Sequence, residues 1–339
     1  MPSDVRIATI ASHSALQILK GAKDEGFETI AICRKGNEKP YRQFKVADKI
    51  ISVDSLEEFE GLEQELIDLN AVLVPHGSFI AYMGVERVKK LRVPYFGHKA
   101  ILDWESDRQM EREWLQKAGL RMPITFESPD KIDRPVIVKF FGAGGGKGYF
   151  FAKSEEEFHR KYDNQASQVG DTRFVIQEYI MGNPLYIHYF HSILNDETEL
   201  MSFDRRYETN VDALGRIPSS DQMEMRISPS YLVMGNIPLV VRESYLPRIL
   251  EMGEKVVEAS REITSRGLYG PFCLETIVTD EGEIVTFEIS ARIVAGTNPY
   301  INGSPYTWLR YDVPMSTGRR IALEIREALE QGRFEEVVE

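Results

Sequence analysis

Up to about residue 95 the chain alternates short apolar runs with amphipathic stretches. Val5 to Ala11, Thr29 to Cys33, Lys49 to Val53 and Ala71 to Pro75 are compact runs rich in Val, Ile and Ala, the pattern of strands buried on both faces. Between the first two, Ala15, Leu16, Ile18, Leu19 and Ala22 recur at helical spacing, with Gly26 placed to end the helix. Leu56, Phe59, Leu62, Leu66 and Leu69 repeat that spacing behind a cap at Asp54 or Ser55. A further helix is expected around 80–91. Strand–helix alternation implies a parallel sheet with crossover helices, and such sheets bind ligands beyond the carboxyl ends of their strands.

The pattern then changes. A linking helix is expected over 103–119. Strand patterns follow at 136–140, 148–152, 173–179, 185–194 and 199–207. A long helix over 245–265, a hairpin over 272–291 and a C-terminal helix near 317–331 complete the chain. The fold class is thus α/β followed by α+β.

Composition narrows the partners. The 339 residues are 42% hydrophobic and 28% charged, with a formal net charge of −12. That excess of acid disfavours nucleic acid and anionic membranes, which need clustered Lys and Arg. No apolar run approaches the roughly 18 residues of a membrane span, and the N-terminus lacks a basic segment followed by an apolar one. A cytoplasmic protein is expected. Cys33 and Cys273 offer neither a disulfide framework nor zinc spacing.

Residues 136–151, VIVKFFGAGGGKGYFF, set five glycines (142, 144, 145, 146 and 148) between two strands, with Lys139 and Lys147 beside them. Glycines at this density let backbone N–H groups close on a phosphate. The alternative is a plain surface turn. A P-loop is excluded by order: Gly142 to Lys147 is one residue short, and a strand pattern follows where a helix is required. The kinase arrangement is excluded because its strand lysine follows the glycine loop, whereas Lys139 precedes it. What remains is strand, lysine, glycine loop, strand, folded over a nucleotide.

Residues 271–292, PFCLETIVTDEGEIVTFEISAR, turn at Asp280-Glu281-Gly282-Glu283. A turn centred between Glu281 and Gly282 places Glu275 opposite Glu288, with an apolar face behind them. Two carboxylates at about 4.5–5.5 Å between Cβ atoms repel. Either a lysine lies nearby on a solvated face, or a cation such as Mg²⁺ joins them to substrate phosphates.

The segment after 172 is a strand, a short connection at Met181-Gly182-Asn183 and another strand; such a hinge has free backbone groups with which to read adenine. His188 and His191 face opposite ways on their strand, so they are read as packing residues and not a metal pair. Arg205, Arg206, Glu208 and Asn210 form a polar cluster, either a solvated loop or an anion contact.

These residues resemble the ATP-grasp superfamily: Lys139 with the glycine loop, then Gln177-Glu178-Tyr179-Ile180, then Glu275 and Glu288 in EISAR, where Ser290 stands in place of the usual Asn. The start IATIASHSALQILKGAKDEGF together with PHGSFIAYMG, FDRRYETN, MGNIP and PFCLETIVTDEG resembles the archaeal formate-dependent ligases of purine biosynthesis, the PurP family, over essentially the whole chain.

The resemblance implies an N-terminal α/β domain (1–98), a small grasp lobe with the glycine loop (99–190) and a large lobe with the metal hairpin (191–339). It implies ATP contacts at Lys139, Gly144, Gly145, Gly146, Lys147, Gln177, Glu178, Tyr179, Ile180 and Glu208, and Mg²⁺ at Glu275 and Glu288. Ribonucleotide contacts fall at His13, Ser14, Ser78 and Asn236, and catalytic contacts at Arg292 and Lys147, with Arg205 or Arg206 as further anion partners. The implied ligands are ATP, formate and 5-aminoimidazole-4-carboxamide ribonucleotide, and the implied assembly is a homo-oligomer.

The residues themselves leave choices open. Ser12 and Ser14 are either helix caps or phosphate donors beside His13; Ser78, or His76 in its place, is a cap or a ligand contact; Asn236 is a turn residue or a ligand contact. Two other functions share the motifs: a ligase joining another carboxylate to another amine, and a nucleotide-binding paralogue without turnover.

Overall fold

The chain folds around three sheets, in a computed structural model that describes residues 4–140, 148–167, 172–225 and 232–339. Gly144, Gly145, Gly146 and Lys147, four of the expected contacts, lie outside the described residues.

The first sheet is the parallel one. Strands β1 (Arg6–Ile10), β2 (Glu28–Arg34), β3 (Lys49–Val53) and β4 (Ala71–Leu73) lie in the order β3-β2-β1-β4. The chain moves one way from β1 to β3 and then crosses to the other side of β1. A crevice therefore opens at the carboxyl ends of β1 and β4, where the strand order reverses. The helix expected over 80–91 is two short ones, Gly77–Met83 and Val85–Val88, divided at Gly84 with φ +74°. The linking helix is likewise two, Ile101–Ser106 and Arg108–Lys117, because the Asp107 carboxylate accepts from the N–H groups of Gln109 and Met110 and starts a new helix.

The second sheet, β5-β8-β6-β7, joins β5 (Thr125–Phe126), β6 (Val136–Phe140), β7 (Tyr149–Ala152) and β8 (Phe174–Glu178) in antiparallel pairs. A helix over Glu155–Ala166 covers it through Phe158.

The third sheet has the order β11-β10-β9-β12-β13, from β9 (Asn183–Ser192), β10 (Glu197–Glu208), β11 (Val233–Leu239), β12 (Gly270–Val278) and β13 (Ile284–Ser290). One face is apolar: Ile187, Tyr189, Phe203, Phe272, Leu274 and Ile289 pack with Trp114, Ile249 and Val256 from the helices Arg108–Lys117 and Leu246–Ile263. The opposite face carries polar rows. Asp204, Tyr186, Glu275 and Glu288 are successive cross-strand partners, and Ser202, His188, Cys273 and Ser290 form the neighbouring row.

The C-terminal helix Thr317–Glu330 returns to the first sheet and crosses the first helix, Ala15–Asp24. Gly21 and Gly318 permit the crossing: a Cβ on Gly21 would lie 2.2 Å from the Arg319 nitrogen, and one on Gly318 would lie 2.3 Å from the Gln17 carbonyl oxygen. The N-terminal core accordingly contains Ile321, Ile325 and Val338 beside Ile7 and Ile18. β9 runs through the boundary expected at 190, and the change of sheet falls between β8 and β9. We propose that the two grasp lobes divide at 179–182 and that the last helix belongs to the N-terminal unit. Among the described residues, no helix is long and apolar enough to cross a membrane.

Candidate active site

The crevice at the strand reversal is built from two turns. After β1, His13 stands in the left-handed region at φ +53°, a conformation that a non-glycine residue keeps only where its surroundings impose it. Its Nδ1 lies 2.8 Å from the Ser14 hydroxyl, and its ring stacks on His76 at 5.3 Å. Ser14 heads the first helix without a side-chain capping bond; Ser12 instead reaches the Ser78 hydroxyl at 3.3 Å. Ser12 and Ser78 thus pair across the crevice, while Ser14 meets its neighbour His13 instead of capping the helix. His76, fully buried, places its Nε2 2.8 Å from the Ile10 carbonyl. Its Nδ1 has no partner among the described residues.

Gly77 sits where His13 and Arg292 converge. A Cβ there would lie 3.0 Å from His13 Nε2 and 3.1 Å from Arg292 Nη1. The protein crowded around His13, then His76 and Arg292, push its pKa down to about 3. Burial, then Arg292, pushes that of His76 down to about 4, against the Ile10 carbonyl. Both rings are neutral at physiological pH, and the positive charge of this crevice is Arg292. Arg292 bonds Glu105 at 2.9 Å, and its Nε has no partner among the described residues.

Across the cleft, Glu275 and Glu288 are direct partners on β12 and β13. The register expected from the sequence holds from Cys273 to Glu275 and then shifts by one: Thr276 faces Thr286, which leaves Phe287 as the extra residue of a bulge. Glu275 is buried and Glu288 exposed. Arg206 from β10 places Nη2 2.7 Å from both Glu275 oxygens and lies over the Tyr186 ring. Burial and then Glu288 raise the Glu275 pKa to about 8, against the pull of Arg206. Glu111 accepts from the Ile289 N–H at 2.7 Å; burial, then Glu288, raises it to about 9. Burial also raises Glu105.

Four carboxyl groups therefore share this region against Arg206 and Arg292, an excess of acid that suits a divalent cation with its phosphate ligands. Among the described residues no group of three or more His, Cys, Asp or Glu has metal-holding geometry; a pair completed by phosphate oxygens is what the hairpin offers. Lys139 joins from the second sheet. Its Nζ donates to Gln177 at 2.9 Å, and burial lowers its pKa while Glu288 raises it, so it shares one field with the hairpin carboxylates.

Other expected contacts are placed differently. Glu178 accepts from the Ile124 N–H at 3.1 Å and pairs with Arg134 at 3.3 Å. Tyr179 is exposed, its ring edge-on to Phe151 at 4.8 Å, and Ile180 is half-buried. Gly182 fits only as glycine, since a Cβ would meet the Val278 carbonyl oxygen at 2.3 Å; the hinge presses on the end of the hairpin. Burial raises the Glu208 carboxyl. Arg205 pairs with Asp212 at 2.9 Å and Arg206 with Glu275, as Arg292 does with Glu105; of the three, Arg292 is the one beside Gly77 and His13. Asn236 is not in a turn but on edge strand β11, and its Nδ2 donates to Asp204 at 2.7 Å. His188, read from sequence as a packing residue, lies on the polar face and bonds Asp204 at 2.7 Å. Glu105, Glu111, Tyr186 and Asp204 drew no attention in the sequence. Strand parity with Glu275 would have found Tyr186 and Asp204.

The comparisons with known proteins decide the family. A family model described as a domain of unknown function, DUF1297, matches residues 155–339, and one described as a protein of unknown function, DUF1246, matches 7–126. The chain is 57% identical, over 98% of its length and 100% of the relative's, to a protein of Thermococcus kodakarensis named 5-formaminoimidazole-4-carboxamide-1-(beta)-D-ribofuranosyl 5'-monophosphate synthetase. A protein of the same name from Methanocaldococcus jannaschii is 48% identical over 99% of this chain and 95% of its own. The chain belongs to this synthetase family. The crystal structure of an IMP biosynthesis protein PurP from Thermococcus kodakaraensis superposes with a TM-score of 0.78 at 30% identity, covering 98% of this chain and 100% of that one. An ADP complex of N5-carboxyaminoimidazole ribonucleotide synthetase, at 15% identity and a TM-score of 0.68 over 96% of this chain and 78% of that one, shares the fold. As a member of the synthetase family the chain is an ATP-dependent ligase with the ATP-grasp fold.

Proposed function

We propose that this chain uses ATP to join formate to the amine of 5-aminoimidazole-4-carboxamide ribonucleotide, giving the formamido ribonucleotide, ADP and phosphate. The observation that carries this reading is identity over the full length to synthetases named for that product. The site chemistry suits it. Formate is a poor acyl donor because its leaving group would be oxide, and the heteroaromatic amine is a weak nucleophile. A formate oxygen attacks the γ-phosphorus and ADP leaves; the amine then attacks the formyl carbon, phosphate leaves, and the amine gives up a proton. No covalent bond to the protein forms.

In this reading Lys139 holds phosphate oxygens and Gln177 to Ile180 line the adenine side. His13, Ser14, Ser78 and Asn236 hold the ribonucleotide, and Arg292 orients formate beside Gly77. Lys147 covers the phosphates from the glycine loop. Glu275 and Glu288 would hold Mg²⁺, which supplies charge neutralisation at the phosphates. Catalysis is positioning and electrostatics, with water kept from the acyl phosphate by the lobes. We place the reaction in the cytoplasm, in a homo-oligomer; exposed Val233, Met234 and Ile237 on edge strand β11, with Leu232 and Val240 at its two ends, support the assembly.

The test is ADP release across a panel of small carboxylates and imidazole or glycinamide ribonucleotides, with and without a formyl-folate. Release requiring formate and the aminoimidazole carboxamide together, without folate, is expected. Turnover with another acid–amine pair, or with none, overturns the reading.

A further inference from the structure

Asp204 and His188 are each 1% exposed, and they lie on the polar face of the third sheet. His188 Nε2 is 2.7 Å from Asp204 Oδ1, and Asn236 Nδ2 donates to Asp204 Oδ2 at 2.7 Å. Both carboxylate oxygens are therefore engaged, one on each side. The loop after β13 is shaped to this pair. A Cβ on Gly296 would lie 2.1 Å from Asp204 Oδ1 and 2.7 Å from His188 Cε1, so glycine backbone seals the pair from water. The same loop reaches the crevice, where Asn298 donates to the His13 carbonyl at 3.1 Å.

An amide has a donor edge and an acceptor edge. A carboxylate only accepts, so the edge of Asn236 that meets Asp204 must be Nδ2, and Oδ1 is the edge left for the cleft. His188 fixes which way the carboxylate points through its Nε2 contact with Oδ1. We propose that His188 and Asp204 are positioning residues that lock the Asn236 amide with Oδ1 toward the ribonucleotide, where it accepts from an N–H of the aminoimidazole carboxamide. This rests on the reading of Asn236 as a ribonucleotide contact. A ligand offering only acceptors at that position would be refused, because two acceptors would then face each other.

Substitutions that exchange donor for acceptor test the chain of bonds. Asp204→Asn keeps the bond from His188 but turns an N–H toward Asn236, which must flip and offer Nδ2 to the cleft. The KM for the ribonucleotide should rise by about tenfold or more while the KM for ATP stays constant, the worth of one buried hydrogen bond replaced by a mismatch. The double variant Asp204→Asn/Asn236→Asp restores the alternation and should recover most of that loss, which a merely structural role for Asp204 would not allow. Asn236→Ala serves as the control. If it raises the ribonucleotide KM and Asp204→Asn does not, or if the double variant fails to recover, the orienting role is wrong while the Asn236 contact stands. If Asn236→Ala leaves that KM unchanged, both fall.

Discussion

Glu275 and Glu288 occupy one cross-strand pair but live in different surroundings. Glu275 is buried under Arg206, and Glu288 is exposed at the cleft. An exposed glutamate contributes little to folding, so Glu288→Gln should alter stability by no more than about 0.5 kcal/mol. It should nonetheless abolish ADP release, because the cation loses one of its two carboxylates. Chemical denaturation and a coupled ADP assay on the same sample measure both; a variant with full activity contradicts the metal reading. The facing of these two carboxylates was expected from a turn centred between Glu281 and Gly282, but that register fails beside the turn, where Thr276 faces Thr286, and the bulge at Phe287 brings Glu275 back opposite Glu288. Arg206 was not legible as the partner of Glu275. That contact bridges strands that are not neighbours, since β9 lies between β10 and β12. Its place depends on the order of strands, which no local pattern carries. The packing role read for His188 agrees with its burial, but its bond to Asp204 was not legible, since which face was polar depended on β10 and β11.

At the scale of elements, the strands were legible almost residue for residue, and the misses have local causes. Edge strand β11 contains Gly235, Asn236 and Pro238, all poor strand formers; an edge tolerates them because one side needs no ladder bonds. The helix Glu155–Ala166 buries only Phe158, so its apolar stripe is too thin to read, although Ser154 with Glu157 forms its cap. The crossing of the first and last helices was invisible because it joins Gly21, near the start of the chain, to Gly318, near its end, a separation that no local pattern spans. Gly318→Ala forces those backbones apart and should cost about 1–3 kcal/mol, seen as a lower urea midpoint; an unchanged midpoint contradicts the tight crossing.

Glu111 gives a second prediction at this scale. Its carboxyl is pushed from 4.5 to about 9 in the folded chain, so the folded state holds a proton that the unfolded state has lost across that window. Stability from this group is therefore full below pH 4.5 and declines as pH rises toward 9, by at most about 1.4 kcal/mol per pH unit. Glu111→Gln removes the titration and should flatten the fall between pH 6 and 8.5. Parallel stability profiles for the two proteins would contradict it.

Over the whole molecule, the three sheets bring three kinds of group to one cleft. The parallel sheet supplies neutral histidines and hydroxyls at its strand reversal. The second sheet supplies Lys139 and Gln177. The third supplies carboxylates, Arg206 and Arg292. The net charge of −12 describes the outer surface and the carboxylate cluster, while the cations stand singly where anions must bind. The C-terminal helix packs into the core of the first sheet through Ile321 and Ile325 and reaches the third through Glu324, which accepts from Ser192 on β9. In the proposed reaction ATP activates formate in this cleft before the amine attacks, and formate labelled with ¹⁸O in both oxygens tests that order directly. Transfer through an acyl phosphate leaves one labelled oxygen in the released phosphate and the other in the formamido product. Released phosphate free of label would rule out the acyl phosphate.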